Sequence, residues 1–553
     1  PMDTRVLMWY TQNFLFVTGI FSVCMPILAY GTAMGWISPN KALLMGPSSP
    51  SDTPLTEEDV SWMASIMFIF APIAVFIFGV AADRFGRKNA LLCASLQSIS
   101  LLLHHAYTAE PTYLKLLSWV MVMFHVWFDL GWAVKLISAH PIALIGARAL
   151  IGFGAGGGYL VCPLYVKEIS EDSIRGMTGT FVIFSQTMGN LLVFILGDLL
   201  QFNTVLWILL AIPLIHFCIL LRLPETPSYL IKCGRSEVCL LTSISIRRLI
   251  YFQESAKVLR WLRSVPATDK SIDEEVERLT IEQKTCDTKF APKLLCEFNS
   301  WYMRLNRIFC GIFLIFHEDY DISDKTALKA FWVALIVNLT REFCGCIAVL
   351  VYASHIFAEA GKDPNTSIAL SPNKQSILLA AVQIFGSFLA CQLVDRAGRK
   401  PLLAVTSVVA GFSMCLLGVW FYLQSVGVAL PGWVPIVALC ACIFADASGL
   451  QPLPFVIMTE MFSFQLRGTV ATLIMAISLG TDFALLKLFA PLNSWIGYYS
   501  TFWMFSAICL SNVFYLIFCV PETKMRNLED IYADLEGKKR RRKDEAVVET
   551  NHV

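Results

Sequence analysis

The chain has 553 residues, 56% of them hydrophobic and only 15% charged, with a formal net charge of +1 and a mean hydropathy of +0.61. That composition excludes an ordinary soluble domain, and a charge so close to zero gives no reason to expect nucleic acid as a partner. Apolar stretches of about 20 residues, the length that crosses hydrocarbon as helix, recur throughout, whereas barrel strands would show short alternating segments. The fold class is therefore an all-α polytopic membrane protein embedded in the lipid bilayer.

In chain order, spans are predicted at about 13–36, 60–82, 141–165, 176–199, 203–223, 329–357, 376–394, 401–422, 432–458, 468–490 and 495–520. With a third span somewhere in 89–137 they make twelve. About 12 residues precede the first span, no cleavable signal peptide is visible, and Met2 standing behind Pro1 implies a start other than the natural one. Positive clusters at 84–88, 247–263, 396–400 and 538–543 belong on the cytoplasmic side. Both termini are then cytoplasmic, with the plasma membrane as the expected location. Asn365, in the sequon Asn365-Thr366-Ser367, falls outside as a glycosylation candidate. The expected organisation is a six-helix bundle over 1–223, a cytoplasmic loop over 224–328, a second six-helix bundle over 329–523, and a cytoplasmic tail over 524–553.

A charge pattern is written twice. DRFGRK at 83–88 supplies Asp83, Arg84 and Arg87, and DRAGRK at 395–400 supplies Asp395, Arg396 and Arg399. Each is followed by a Glu and an Arg seven residues apart, Glu168 with Arg175 and Glu460 with Arg467, and each half closes on Pro-Glu-Thr, with Glu225 and Glu522. Duplication of a membrane-embedded unit accounts for this order, giving two pseudo-symmetric six-helix bundles with a site at their interface. These charges are expected to meet at the cytoplasmic helix ends as a gating latch, each exposed pair contributing only about 0–1 kcal/mol; anchoring of helix ends is the plainer alternative. Asp83 to Glu168 spans 85 residues and Asp395 to Glu460 spans 65, so the first half carries 20 extra. The segments near 97–140, 239–253 and 296–321 read as irregular insertions, such as translated intron; for 301–316 a helix lying on the membrane surface is the alternative.

Gly152, Gly154, Gly156, Gly157 and Gly158 in the fourth span are expected to admit a neighbouring helix rather than a ligand. Pro452 and Pro454 must break the tenth. The 17 cysteines are scattered without paired metal spacing and read as buried free thiols. No metal-ligand set, cofactor motif or nucleophile with its base appears, so the chain reads as a transporter rather than an enzyme.

DRFGRK, ARALIGFGAGGGYLVCPLYVKEIS, RLPETPSYLI, DRAGRKPLL, TEMFSFQLRGT and VPETK resemble the sugar-porter family of the major facilitator superfamily, most closely its insect facilitated trehalose transporter-like members. The resemblance implies two bundles rocking about a central sugar site. It also implies departures, because the family's seventh-span QQLSGIN stands here as Arg341-Glu342-Phe343-Cys344-Gly345-Cys346-Ile347. The family's fifth-span glutamine falls on Ile183, its tenth-span tryptophan on Phe455, and its eleventh-span asparagines on Ser478 and Asp482. Tyr352 and Gln383 match, and Gln186 and Asn190 follow Ile183 along one helix face. The expected substrate site is therefore Gln186, Asn190, Arg341, Glu342, Tyr352, Gln383, Phe455 and Asp482.

Charge at mid-membrane depth marks function or local pairing. If Arg341 pairs with Glu342 and Asp482 with Lys487, nothing is left for substrate. Asp446 is a further unplaced charge. The first span reads Ala29-Tyr30-Gly31-Thr32 where proton-coupled relatives carry an acid, which favours facilitated diffusion of a sugar such as trehalose or glucose. The alternatives are another small polar or zwitterionic solute, or a non-transporting sugar sensor.

Overall fold

A computed structural model of the chain describes residues 21–85 (except 48, 52 and 53), 129–220 (except 171–174), 226–227, 230–231, 252–260, 272, 275–277, 325–361, 371–428, 431–462, 464–524, 526 and 528–536. All of 97–128, 239–251 and 296–321, and the sequon at Asn365, lie outside these residues. Every regular element described is helical. The first half contains α1 (Phe21–Met45), α2 (Glu57–Phe78, continuing to Phe85), a short α3 over 129–137, α4 (Pro141–Ile169), α5 (Arg175–Leu199) and α6 (Phe202–Leu220).

The second half contains α7 (Lys325–Phe343), α8 (Cys346–Val351), α9 (Ala353–Ala360), α10 (Pro372–Ala397) and α11 (Arg399–Ser425). After these come α12 (Trp433–Ala445), α13 (Leu453–Met461), α14 (Phe464–Cys519) and α15 (Leu528–Glu536). Nine of the described runs are long and apolar enough to cross a membrane. The α14 run is two helices joined at Gly497, whose φ of 80° reverses the chain, a few residues beyond the break expected near 490–495.

Local chemistry sets the ends and breaks. Thr56 and Asp59 form a reciprocal capping box at the start of α2, Thr56 Oγ1 accepting from the Asp59 N–H at 3.2 Å and Asp59 Oδ2 from the Thr56 N–H at 3.0 Å. Glu57, Glu58 and Asp59 in that first turn complement the helix dipole. Gly345, with φ of 81°, divides α7 from α8. The expected break near Pro452 and Pro454 takes the form of a π-turn over Asp446–Leu450, after which α13 restarts with Pro in its first turn.

The glycines of α4 do pack. A Cβ on Gly152 or Gly156 would lie 2.3 or 2.4 Å from the carbonyl oxygens of Met67 and Ala71 on α2, so the two backbones touch as in other close membrane crossings. α1 and α5 meet the same way, at Gly31 against Gln186 and Gly189 against Leu28. Large apolar side chains point outward instead, Phe518, Phe412, Trp207 and Phe385 among them, each more than half exposed, as a lipid-facing surface requires.

One expectation narrows here. The stretch near 97–140 was expected to hold an irregular insertion alongside the third span, and its described end, α3, belongs to the core: Trp132 and Lys135 are buried, and the Lys135 ammonium sits 3.7 Å from the Trp36 ring centroid and 4.0 Å from that of Trp132. Two aromatic faces solvate the cation there.

Candidate functional site

A small cleft of about 20 Å³ lies between the halves, lined by Tyr30, Met34, Tyr159, Gln186, Arg341, Glu342, Ile347, Phe455, Ser478 and Asp482 among others. α1, α4 and α5 supply one wall; α7, α8, α13 and α14 supply the other. Of the eight expected site residues, five line it: Gln186, Arg341, Glu342, Phe455 and Asp482. Asn190 and Gln383 stand beside it and join the halves directly, Asn190 Nδ2 donating to Gln383 Oε1 at 3.4 Å.

Tyr352 does not belong to the cleft. It lies ten residues past Glu342, about 15 Å along a helix axis. There its ring stacks on Phe489 (centroids 5.2 Å, 12°) and its hydroxyl donates to the Leu486 carbonyl at 3.3 Å.

The charges are only partly paired. Arg341 Nη1 donates to Glu342 Oε1 at 2.6 Å, as the local-pairing alternative expects. The second half of that alternative fails, because the Lys487 ammonium sits 3.9 Å from the Trp62 ring centroid rather than on Asp482. Asp482, Glu342 and Arg341 instead share the cleft. Five buried polar atoms around it have no hydrogen-bond partner: Gln186 Oε1, Asn190 Oδ1, Gln383 Nε2, Ser478 Oγ and Asp482 Oδ1. Each such atom costs about 1–3 kcal/mol unless a ligand or water pairs it. Tyr30, Tyr159 and Phe455 form an aromatic wall, with centroids 5.1 and 6.1 Å apart. Sequence reasoning missed Tyr30 and Tyr159, although two tyrosines facing inward from otherwise apolar spans are the signal that would have found them.

A larger vestibule of about 620 Å³ opens at one end of the molecule, lined by Lys41, Glu57, Tyr352, His355, Lys487 and Tyr498 among others. Lys41 Nζ donates to Glu57 Oε2 at 2.9 Å across its rim. Ser354 bridges to Ser38, its N–H donating to Ser38 Oγ at 3.2 Å. The 26 residues of α10 run about 39 Å away from this end, to the repeated charge motifs.

There Arg399 is the organiser. Its guanidinium donates to Glu460 Oε1 at 2.9 Å (Nη2) and 3.2 Å (Nε), and to the Val394 carbonyl at 2.9 Å. Thr523 Oγ1 donates to Glu460 Oε2 at 2.5 Å, and the pseudo-equivalent Thr226 to Glu168 at 2.6 Å. Glu522 accepts the Arg399 and Lys400 N–H groups at 3.0 and 3.1 Å, an anion on a helix N-terminus. Arg396 is exposed and makes no ion pair among the described residues. These bonds of Arg399, Glu460, Glu522, Glu168 and their threonines join elements within one half, whereas Thr180 Oγ1 donates across the halves to Cys391 Sγ at 3.1 Å. The side chains of Asp83, Arg84, Arg175, Asp395 and Arg467, and all of Arg87 and Glu225, lie outside the described residues.

The family model described as "Sugar (and other) transporter" matches residues 14–320 and 321–535. The facilitated trehalose transporter Tret1 of Bombyx mori is 26% identical over 540 residues, covering 97% of this chain and 89% of that protein. The Aedes aegypti Tret1 is 25% identical over 543 residues, 98% of this chain; the chain spans only 57% of that longer relative. Among solved structures, the Escherichia coli xylose transporter XylE in its inward-open conformation superimposes with a TM-score of 0.62 at 17% identity over 94% of this chain and 98% of that one. The proton:xylose symporter XylE bound to 6-bromo-6-deoxy-D-glucose gives 0.64 at 18% identity, with the same coverage. The chain therefore belongs to the family of sugar (and other) transporters, a multi-pass membrane protein with nine membrane-crossing runs among its described residues, and a transporter rather than an enzyme.

Proposed function

We propose that the chain is a facilitative transporter that carries a neutral sugar such as trehalose or glucose down its gradient by alternating access. The observation that carries this reading is the central set of buried, incompletely paired amides, Gln186, Asn190 and Gln383, contributed by both halves beside an aromatic wall. Hydroxyl groups both donate and accept, so a sugar supplies what each orphaned amide atom lacks, and its apolar ring face packs on Tyr30, Tyr159 and Phe455. The vestibule is the extracellular mouth, with a volume in the range of small-ligand sites, and Tyr352 with Phe489 separates it from the cleft. The Arg399–Glu460–Thr523 cluster holds together the cytoplasmic end of the second half, with both termini cytoplasmic in the plasma membrane and Asn365 on the outer face. The two bundles, 1–223 and 329–523, move about the cleft.

Uniport is supported by Arg148. It is wholly buried in α4, yet its guanidinium donates to the Met63 carbonyl at 2.9 Å and to the Ala33 carbonyl. Among the described residues, α1 offers no carboxylate to exchange a proton against it. A second reading keeps the fold and carries a zwitterion, with Arg341 and the free Asp482 oxygen as ligands. Radiolabelled uptake in cells expressing the chain, against a panel of sugars and amino acids, separates them. Saturable sugar uptake is expected; uptake of amino acids alone would replace the first reading by the second.

A further inference from the structure

The family's seventh-span amide motif is replaced here by a Cys344-Gly345-Cys346 sequence. On an unbroken helix, residues two apart face away from each other. Gly345 at φ of 81° breaks that geometry, and the sulfurs of Cys344 and Cys346 come within 4.8 Å of each other and of an Asp446 carboxylate oxygen, all three residues buried. Cys442 stands one turn before Asp446 on α12, and its sulfur is 3.6 Å from that of Cys346.

Zn–S bonds of about 2.3 Å put adjacent sulfurs of a tetrahedral site roughly 3.8 Å apart. The Cys346–Cys442 separation already matches such an edge, and the Cys344 sulfur and the Asp446 oxygen lie within 4.8 Å of the Cys346 sulfur and of each other. Asp446 gives the cluster a purpose that packed thiols alone lack. It is a carboxyl group 4% exposed inside the second bundle, where a charge is retained only beside a compensating cation. Arg341 faces it, but that guanidinium is already engaged by Glu342.

We propose that Cys344, Cys346, Cys442 and Asp446 form a binding site for a thiolate-preferring divalent cation of the Zn²⁺ class, inside the second bundle and separate from the sugar cleft. Binding forms four metal–ligand bonds, and each thiol that ligates releases its proton to water. Thiolate sulfur selects against Mg²⁺ and Ca²⁺, which take oxygen ligands. Cys344 and Cys346 flank the Gly345 break, Asp446 opens the π-turn and Cys442 stands in α12 just before it, so an occupied site ties the Gly345 break to the π-turn.

The test uses the purified full-length protein in lipid nanodiscs with a phosphine reductant, titrated with Cd²⁺ as a spectroscopic stand-in for Zn²⁺. A sulfur-to-cadmium charge-transfer band saturating near one equivalent, reversed by excess Zn²⁺, is expected. Cys344→Ser with Cys346→Ser should abolish the band, and Cys415→Ser, outside the cluster, should leave it unchanged. Asp446→Asn, which keeps the side-chain volume and all three cysteine ligands, should weaken Cd²⁺ binding at least tenfold, and it decides the question if the serine variants do not fold. The proposal is overturned by a folded wild type with no band, by a band that survives in the double serine variant, or by Asp446→Asn binding as tightly as wild type.

Discussion

The Arg399 end and the central cleft are both built from arginine, carboxylates and neutral polar groups, but they differ in how completely those groups are paired. At the Arg399 end the described carboxylates are saturated: Glu460 takes Arg399 and Thr523, and Glu522 takes backbone N–H groups at a helix start. In the cleft, Gln186, Asn190, Gln383, Ser478 and Asp482 each keep an unpaired buried atom. Saturated networks hold a structure together, whereas leftover hydrogen-bonding capacity, costly to maintain, is what a ligand completes. The contrast separates scaffold from site without reference to any relative.

The comparison breaks most easily at Arg399. Arg399→Gln removes the charge that Glu460 faces and should destabilise the protein by about 2–3 kcal/mol, below the range for fully buried pairs because Glu460 is partly solvated. Arg396→Gln, at an exposed side chain without an ion pair among the described residues, should stay within about 0.5 kcal/mol of wild type. Thermal melts of the two variants in detergent decide it, and equal losses would deny Arg399 its special place. The cleft should behave in the opposite way. Gln383→Met keeps the volume and deletes an orphaned donor together with the acceptor of the long Asn190 bond, so the two effects oppose each other and stability should change by no more than about 1 kcal/mol, yet sugar uptake should fall at least tenfold as the bond to the substrate disappears. A variant that melts early and still transports would show that Gln383 is scaffold.

Much of this was legible in the sequence, for identifiable reasons. The nine spans found among the described residues follow from hydropathy, and the duplicated charge motifs mark helix ends because their spacing is local. Gly152 and Gly156 announce a close helix contact through composition alone. Other features were not legible because they depend on long-range packing. Tyr352 matches the family by position but is carried into the vestibule by the rise of α8. Cys442 lies 96 residues from Cys346, so no spacing rule connects them. α3, with Lys135 held between two tryptophans, reads as an insertion until Trp36 is brought against it.

The comparison is sharpened by rewriting the cleft. Arg341→Gln and Glu342→Gln with Ile347→Asn restores three neutral amides on α7 and α8 and removes the one internal ion pair of the site. Each restored neutral hydrogen bond contributes about 0.5–1.5 kcal/mol, so a neutral sugar should bind roughly tenfold more tightly or better. Competition of the sugar against labelled uptake measures the gain. A triple variant that loses zwitterion uptake and gains no sugar affinity would transfer the site to a charged substrate.

The smallest effect is expected from pH. A symporter of this architecture needs a carboxylate that takes a proton on one side and releases it on the other. On the first half, the buried Arg148 has as its described partners the carbonyls of Ala33 and Met63, which do not titrate. On the second half, Glu342 is held by Arg341, so a proton arriving there must compete with a fixed guanidinium. Lowering the external pH from about 7.5 to about 5.5 should therefore change initial sugar uptake less than about twofold, and substrate should equilibrate without accumulating, since a single solute shifts the two states only through its own differential affinity. Accumulation above the external concentration that a protonophore abolishes would reverse this assignment. It would also identify Asp482, the cleft carboxylate with an unpaired oxygen, as the first residue to replace by asparagine.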